Sequence, residues 1–147
     1  MKGKSAMSGG QYAGDITPTQ AWEILRSDPD SVLIDVRTDA EWAYVGIPDL
    51  SAVGKQPLLV SWALFPNMAL NPDFAADVET AVADRDAPLV FLCRSGARSR
   101  SAAIAMTARG YRTCYNIDSG FEGDSDSQRH RGTVSGWKVE ELPWVQG

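Results

Sequence analysis

The chain has 147 residues, 44% of them hydrophobic and 22% charged, and carries a net charge of −5. This suits one globular domain with its own core, and the negative balance excludes nucleic acid or an anionic membrane surface as the main partner, because both reward a basic surface. Two cysteines are too few for a disulfide-built secreted fold, and no window reaches the length of a membrane-spanning helix, so a soluble cytoplasmic protein is expected.

The opening stretch, "MKGKSAMSGGQYAG", is rich in Gly and Ser. It lacks the apolar segment of a signal peptide, so residues 1–14 are expected to be disordered and residues 15–147 to form the domain. "ITPTQAWEIL" then starts a helix: Thr17 is the N-cap, Pro18 fits the first helical position, and Gln20 completes a capping box. "SVLIDVR" is a short apolar run bounded by polar residues, the pattern of a buried strand. "TDAEWAYV" predicts a short helix capped by Thr38 or Asp39, and "PLLVSW" a second strand over Pro57 to Trp62. "NPDFAADVETAVA" predicts a helix with Asn71 as cap and Pro72 in its first turn. "APLVFLC" is apolar throughout and predicts a central strand. "SRSAAIAMTARG" predicts a helix starting near Ser99 and ended by Gly110, and "YRTCYNI" a fourth strand. The polar tail is expected to be irregular, with a short helix near Trp137 to Glu141. Strands alternating with helices imply an α/β domain with a mostly parallel central sheet covered by helices on both faces.

The chemistry concentrates in "FLCRSGARSRSAAIA", Phe91 to Ala105. Ligands of open parallel sheets bind beyond the carboxyl ends of the strands, and Cys93 ends its strand there. A tight loop follows, Arg94, Ser95, Gly96, Ala97 and Arg98, and then the helix beginning near Ser99. Backbone N–H groups in such a loop and at a helix start form an anion cradle. Arg94 and Arg98 add full charges, with Arg100 as a third candidate. These surroundings favour the thiolate, the nucleophilic form of cysteine. The plain alternative is a small buried hydrophobe with solvent-facing arginines. Against it, arginines at the positive end of a helix oppose the dipole unless an anion is to be held there. Asp35 and Arg37 reach the same sheet edge, as a buried ion pair or as anchors for the loop and its anion. Cys114 falls inside a strand, where burial would leave it inert. His130, the only histidine, lies in a polar loop with no role towards Cys93, and no ligand spacing suggests a metal site.

The loop "CRSGARS", Cys93 to Ser99, behind "LVFL" resembles the active-site loop of the rhodanese-like sulfurtransferases. "LIDVRTDAEW", Leu33 to Trp42, resembles that family's Asp-Val-Arg segment with its following acidic and aromatic residues. "GIPDL", Gly46 to Leu50, and "NIDSGFEG", Asn116 to Gly123, extend the similarity over roughly Thr17 to Trp144. One departure is Val45-Gly46-Ile47-Pro48 where the family usually has Gly-His-Ile-Pro. The following stretch, "SAVGKQPLLVSWALFPNMALNP", is also unlike the common pattern, and Trp62 and Phe65 within it could shape an unusual entrance or simply pack in the core.

The resemblance implies persulfide chemistry. Cys93 would take the outer sulfur of a small anionic donor such as thiosulfate and pass it to a thiol, cyanide or a sulfur-carrier protein. Arg94, Ser95, Gly96, Ala97, Arg98 and Ser99 would bind the substrate and Asp35 and Arg37 would support them, with no metal or organic cofactor. The main rival is a Cys-dependent phosphatase or arsenate reductase-like enzyme. Those loops run Cys-x5-Arg around a tetrahedral oxyanion, whereas Cys93 to Arg98 is Cys-x4-Arg, and Leu92 stands where phosphatases usually carry His. A non-catalytic binding or regulatory module is the third reading.

Overall fold

A computed structural model describes residues 11–146. Five strands form one parallel sheet: β1 (Gly14–Ile16), β2 (Val32–Asp35), β4 (Leu58–Leu59), β7 (Leu89–Leu92) and β8 (Cys114–Ile117), in the order β1-β8-β7-β2-β4. The two-residue strands β3 (Ile47–Pro48) and β9 (Trp144–Val145) pair antiparallel, and so do β5 (Ala63–Leu64) and β6 (Ala69–Leu70). The helices are α1 (Pro18–Ser27), α2 (Asp39–Val45), α3 (Phe74–Ala81) and α4 (Ala97–Ala108).

The strand "LVFL" takes the middle of the sheet, as its unbroken apolar character predicts, and all four of its residues are buried. Alternation sends its side chains to opposite faces. Leu89 and Phe91 pack with Phe74 and Val78 of α3 and Ala102, Ala103 and Met106 of α4. Val90 and Leu92 pack with Ala21 and Leu25 of α1 and with Trp137. Helices therefore cover both faces. The small residues Ala102 and Ala103 let α4 lie close against the sheet behind the cysteine.

Local signals located most elements. The Thr17/Gln20 capping box is formed, and a second one joins Thr38 to Glu41. Other boundaries moved. The third helix starts at Phe74 behind Asp73, and Asn71 instead accepts the Asp73 N–H at 3.0 Å, holding the turn before it. The fourth starts at Ala97, two residues before Ser99. Trp137 to Glu141 forms turns in place of a helix, because Trp137 is fully buried and its N–H bonds Gly120 O at 2.8 Å. The strand expected over Pro57 to Trp62 shrinks to Leu58–Leu59, although Val60 and Trp62 still bond to Asp35 and Val36.

Residues 1–10 of the segment expected to lack structure lie outside the described residues. Its last part runs beside the sheet: Ala13 N–H donates to Cys114 O at 2.8 Å, and β1 begins at Gly14. That strand is three residues long on a sheet edge, and its pairing to β8 spans most of the chain, so no local periodicity announces it.

Candidate active site

All neighbours within the five-stranded sheet are parallel, so their carboxyl ends share one edge. Asp35 of β2 is in register with Leu92 of β7, which brings Arg37 and Cys93 to that edge together. Cys93 is 2% exposed. Its Sγ lies 3.1 Å from the Gly96 N–H and 3.2 Å from Ser99 Oγ. Gly96 caps α4 with φ of 115°, in the left-handed region. The first amides of α4 have no carbonyl within the helix to bond, and none elsewhere among the described residues accepts from Ala97 or Arg98. The positive end of the helix dipole thus faces the sulfur.

The Gly-rich exit from β8 fixes this geometry from behind. Phe121 N–H bonds Cys93 O at 2.8 Å, and Glu122 and Gly123 N–H bond Arg94 O at 3.0 and 3.1 Å. These contacts occupy the carbonyls of the cysteine segment, while the Gly96 N–H faces the sulfur. Gly120 makes the approach possible: its φ is 67°, and a Cβ there would lie 2.6 Å from Cys93 O.

The arginines divide. Arg94 is exposed, and its guanidinium has no hydrogen-bond or ion-pair partner among the described residues. Arg98 is bidentate to Glu41, at 2.7 and 3.0 Å. Burial works against the charge on Glu41, but the Arg98 guanidinium outweighs it and holds the carboxyl below its usual range. Arg100 does not join the site. Two residues along a helix turn the side chain to another face, and Arg100 instead bonds Tyr12 Oη at 3.2 Å. Ser95 is half-buried and Ala97 exposed beside the loop amides.

Asp35 and Arg37 are both fully buried and joined in a bidentate pair, Nε to Oδ1 at 2.9 Å and Nη2 to Oδ2 at 2.6 Å. The buried ion pair is therefore formed, and both side chains lie out of reach of solvent. Arg37 also donates to Gly46 O at 2.8 Å and stacks on Phe121 at 4.4 Å, tying the end of β2 to the exit loop that holds Cys93.

Two partners were not singled out from sequence. Glu41 carries a local signal, the Thr38-x-x-Glu41 capping box, but nothing local shows that it also reaches Arg98. Asn116 is buried in β8 and bonds Ser99 Oγ at 2.6 Å and Asp15 at 3.0 Å. A carboxylate oxygen accepts, so the amide nitrogen of Asn116 turns to Asp15 and its oxygen to Ser99. Ser99 is buried, with its Oγ between Cys93 Sγ and Asn116 Oδ1.

Cys114 is fully buried, and burial pushes its thiol up to about 11. It stays protonated at neutral pH and is no nucleophile there. If Cys93 carries the persulfide chemistry that the family resemblance implies, Cys114→Ser should leave that turnover within about twofold of wild type; a loss of turnover with an unchanged melting temperature would give Cys114 a part in the chemistry. His130 is exposed. Trp62 turns inward, edge-on to Phe74 at 5.1 Å, whereas Phe65 is 60% exposed. Phe65 and Met68 line a cleft of about 460 Å³ together with Arg94, Arg98, Glu41 and Glu122. Among the described residues no helix is long and apolar enough to cross a membrane.

The rhodanese-like domain pattern matches residues 17–126. A crystal structure of Rv0390 from M. tuberculosis superposes with a TM-score of 0.86 at 47% identity, covering 93% of this chain and 100% of that one. An uncharacterized protein of Rickettsia rickettsii is 41% identical over 131 residues, 88% of this chain and 95% of its own. The thiosulfate sulfurtransferase GlpE of Haemophilus influenzae is 27% identical over 109 residues, 74% of this chain and 85% of its own. The polysulfide-sulfur transferase homodimer of Wolinella succinogenes shares the fold, with a TM-score of 0.61 at 22% identity over 90% of this chain and 78% of that one. With the pattern spanning most of the chain and the cysteine loop at the sheet edge, this protein belongs to the rhodanese-like family.

Proposed function

We propose that the protein is a sulfurtransferase working through a Cys93 persulfide. The observation that carries this reading is the setting of Sγ: a strand-end sulfur facing the Gly96 N–H and the start of α4. In the first half-reaction the Cys93 thiolate attacks the outer sulfur of thiosulfate. A new S–S bond forms, the donor's S–S bond breaks, and sulfite leaves with the bonding electron pair. In the second, a thiolate or cyanide attacks the outer sulfur, and Cys93 leaves as thiolate. This is ping-pong covalent catalysis, balanced without a metal or organic cofactor. The loop amides stabilise the charged sulfur as it forms. Arg94, exposed and without a partner among the described residues, is the side chain suited to the donor's anionic end. Arg98 already answers Glu41 and contributes mainly by holding α2 against the loop. A cytoplasmic setting fits a reaction that needs a reduced thiol, and a sulfur-carrier protein is a further acceptor class with suitable chemistry.

Intact-mass spectrometry tests this. Incubation with thiosulfate should add one sulfur atom to Cys93, and cyanide should remove it with formation of thiocyanate. A Cys93 left unmodified by thiosulfate and polysulfide would instead favour a binding module. Cys93-dependent hydrolysis of an aryl phosphate faster than sulfur transfer would favour the phosphatase-like reading.

A further inference from the structure

The parallel sheet ends at β4, and no strand among the described residues pairs with its outer edge. The N–H groups of Val60 and Trp62 turn inward, to Asp35 O at 3.1 Å and Val36 O at 3.0 Å. Backbone groups alternate along an extended chain, so Leu59 and Ser61 turn theirs outward. The Ser61 N–H has no backbone acceptor among the described residues. A groove of about 490 Å³ lies against this edge. Leu59 and Ser61 line it from the sheet, Leu64 and Phe65 from the β5–β6 hairpin, Asp39 from α2 and Asp77 from α3.

The walls of this groove are apolar and its charge has one sign. Leu59 is 38% exposed, Leu64 43% and Phe65 60%, and none of them belongs to either core cluster. No lysine, arginine or histidine lines the groove. Neighbouring carboxylates are answered within the chain: Glu41 by Arg98, and Glu79 by Arg85 and Arg109. The carboxylates of Asp39 and Asp77 are exposed and have no partner among the described residues. Open sheet edges are commonly blunted by lysine, proline or a covering loop. Here the edge keeps free backbone groups beside exposed apolar side chains, with only acids to select what approaches.

We infer that this groove docks an extended, basic segment of a partner protein, added beside β4 as a further strand. The segment's backbone bonds the outward groups of Leu59 and Ser61, and its alternate apolar side chains rest on Leu64 and Phe65. Its lysine or arginine side chains meet Asp39 and Asp77. The net charge of −5 adds long-range attraction for such a partner. Charge also argues against the other occupants of an exposed apolar face. A two-fold contact between copies sets the same patch on both sides, acids included, and an anionic membrane surface repels carboxylates. Cys93 is not among the lining residues, so the docking site stands apart from sulfur transfer.

Isothermal titration of the full-length protein with acetylated, amidated hexapeptides tests this. The probe alternates lysine and valine. A lysine–serine peptide keeps the charge without the apolar side chains, and a glutamate–valine peptide reverses the charge. The expected result is saturable binding of the probe, with a dissociation constant at least roughly tenfold below that of either control. Affinity should fall roughly tenfold in Asp39→Asn/Asp77→Asn and in Leu64→Ser, with melting temperatures unchanged. N-methylation of the probe's amides along one edge, either the valine or the lysine amides, should abolish binding. Equal affinity for the lysine–serine peptide, or unchanged affinity in the two-aspartate variant, would leave only non-specific attraction and overturn the site. Binding that survives methylation of either edge, or displacement of the probe by equimolar phenethylamine, would make this a small-amine pocket and overturn the strand. Failure of the probe to bind overturns the proposal outright. A dimer in sedimentation that Leu64→Ser dissolves would then give this face to a second copy. Cys93→Ser should bind the probe as wild type does, so a failure here leaves the sulfur-transfer reading to its own mass measurement.

Discussion

Asp35→Ala should remove about 3–5 kcal/mol of folding stability, on the order of 10 °C in melting temperature for a domain of this size. The two side chains are fully buried and bonded through two short contacts. Removing the carboxylate strands the guanidinium of Arg37 with only Gly46 O and the face of Phe121 for company. One of its nitrogens, Nη1, is already buried without a partner among the described residues, so the site has no spare acceptor to offer. Globular domains are stable by only about 5–15 kcal/mol in total, which makes this a large fraction. The double variant Asp35→Ala/Arg37→Met should recover much of the loss, because it removes the unpaired charge and refills part of the volume. Chemical denaturation of the three variants measures both effects. A loss below about 1 kcal/mol in the single variant would mean that water or a rearranged side chain reaches Arg37, and that the pair does not brace the exit loop.

Gly96→Ala should lower kcat/KM for sulfur transfer by about a hundred- to a thousand-fold, the range seen when one hydrogen-bond donor to a developing anion is removed. Two constraints meet at this residue. Its φ of 115° is costly for any residue with a Cβ. The Cβ would also fall on the carbonyl of Asp118, well inside van der Waals contact. Asp118 is itself anchored, its N–H bonding Ile16 O at 3.2 Å, so the loop has to give. Giving moves the Gly96 N–H away from Sγ. Gly54→Ala separates the two causes: Gly54 has φ of 73° but nothing within 4 Å of the added Cβ, and it lies away from the site. That variant should lose roughly 1 kcal/mol of stability and keep its turnover. Equal turnover in the two variants, measured with thiosulfate and cyanide at matched folded fraction, would show that the Gly96 amide does not act on the sulfur.

Much of the architecture was legible in one dimension because its causes are local. Thr17 and Thr38 cap helices three residues before the partners that close each box. The uniform apolar run before Cys93 marks a strand buried on both faces, and a cysteine at the end of such a strand must emerge at the ligand edge of a parallel sheet. The spacing of Cys93, Gly96, Arg98 and Ser99 is a property of a single turn, so the loop and its family resemblance could be read directly. The length of that loop, Cys-x4-Arg from Cys93 to Arg98, is also a one-dimensional feature that differs from the longer phosphatase type.

What the tertiary structure decided are contacts between residues far apart in the chain, whose side chains look ordinary in isolation. Arg98 meets Glu41 across 57 residues, and Asn116 meets Asp15 across 101. No local pattern foretells either, since both depend on which strands become neighbours. The same holds for β1 and for the β3–β9 pair, strands too short to show a period, whose stability comes from their partners. Burial placed Asp35 and Arg37 out of reach of solvent and against each other. Helical geometry took Arg100 away from the sulfur, though the sequence places it close to Arg98. Trp62 and Phe65 stand three residues apart in one unusual segment. Only the tertiary structure packed Trp62 against the core, edge-on to Phe74, and left Phe65 exposed.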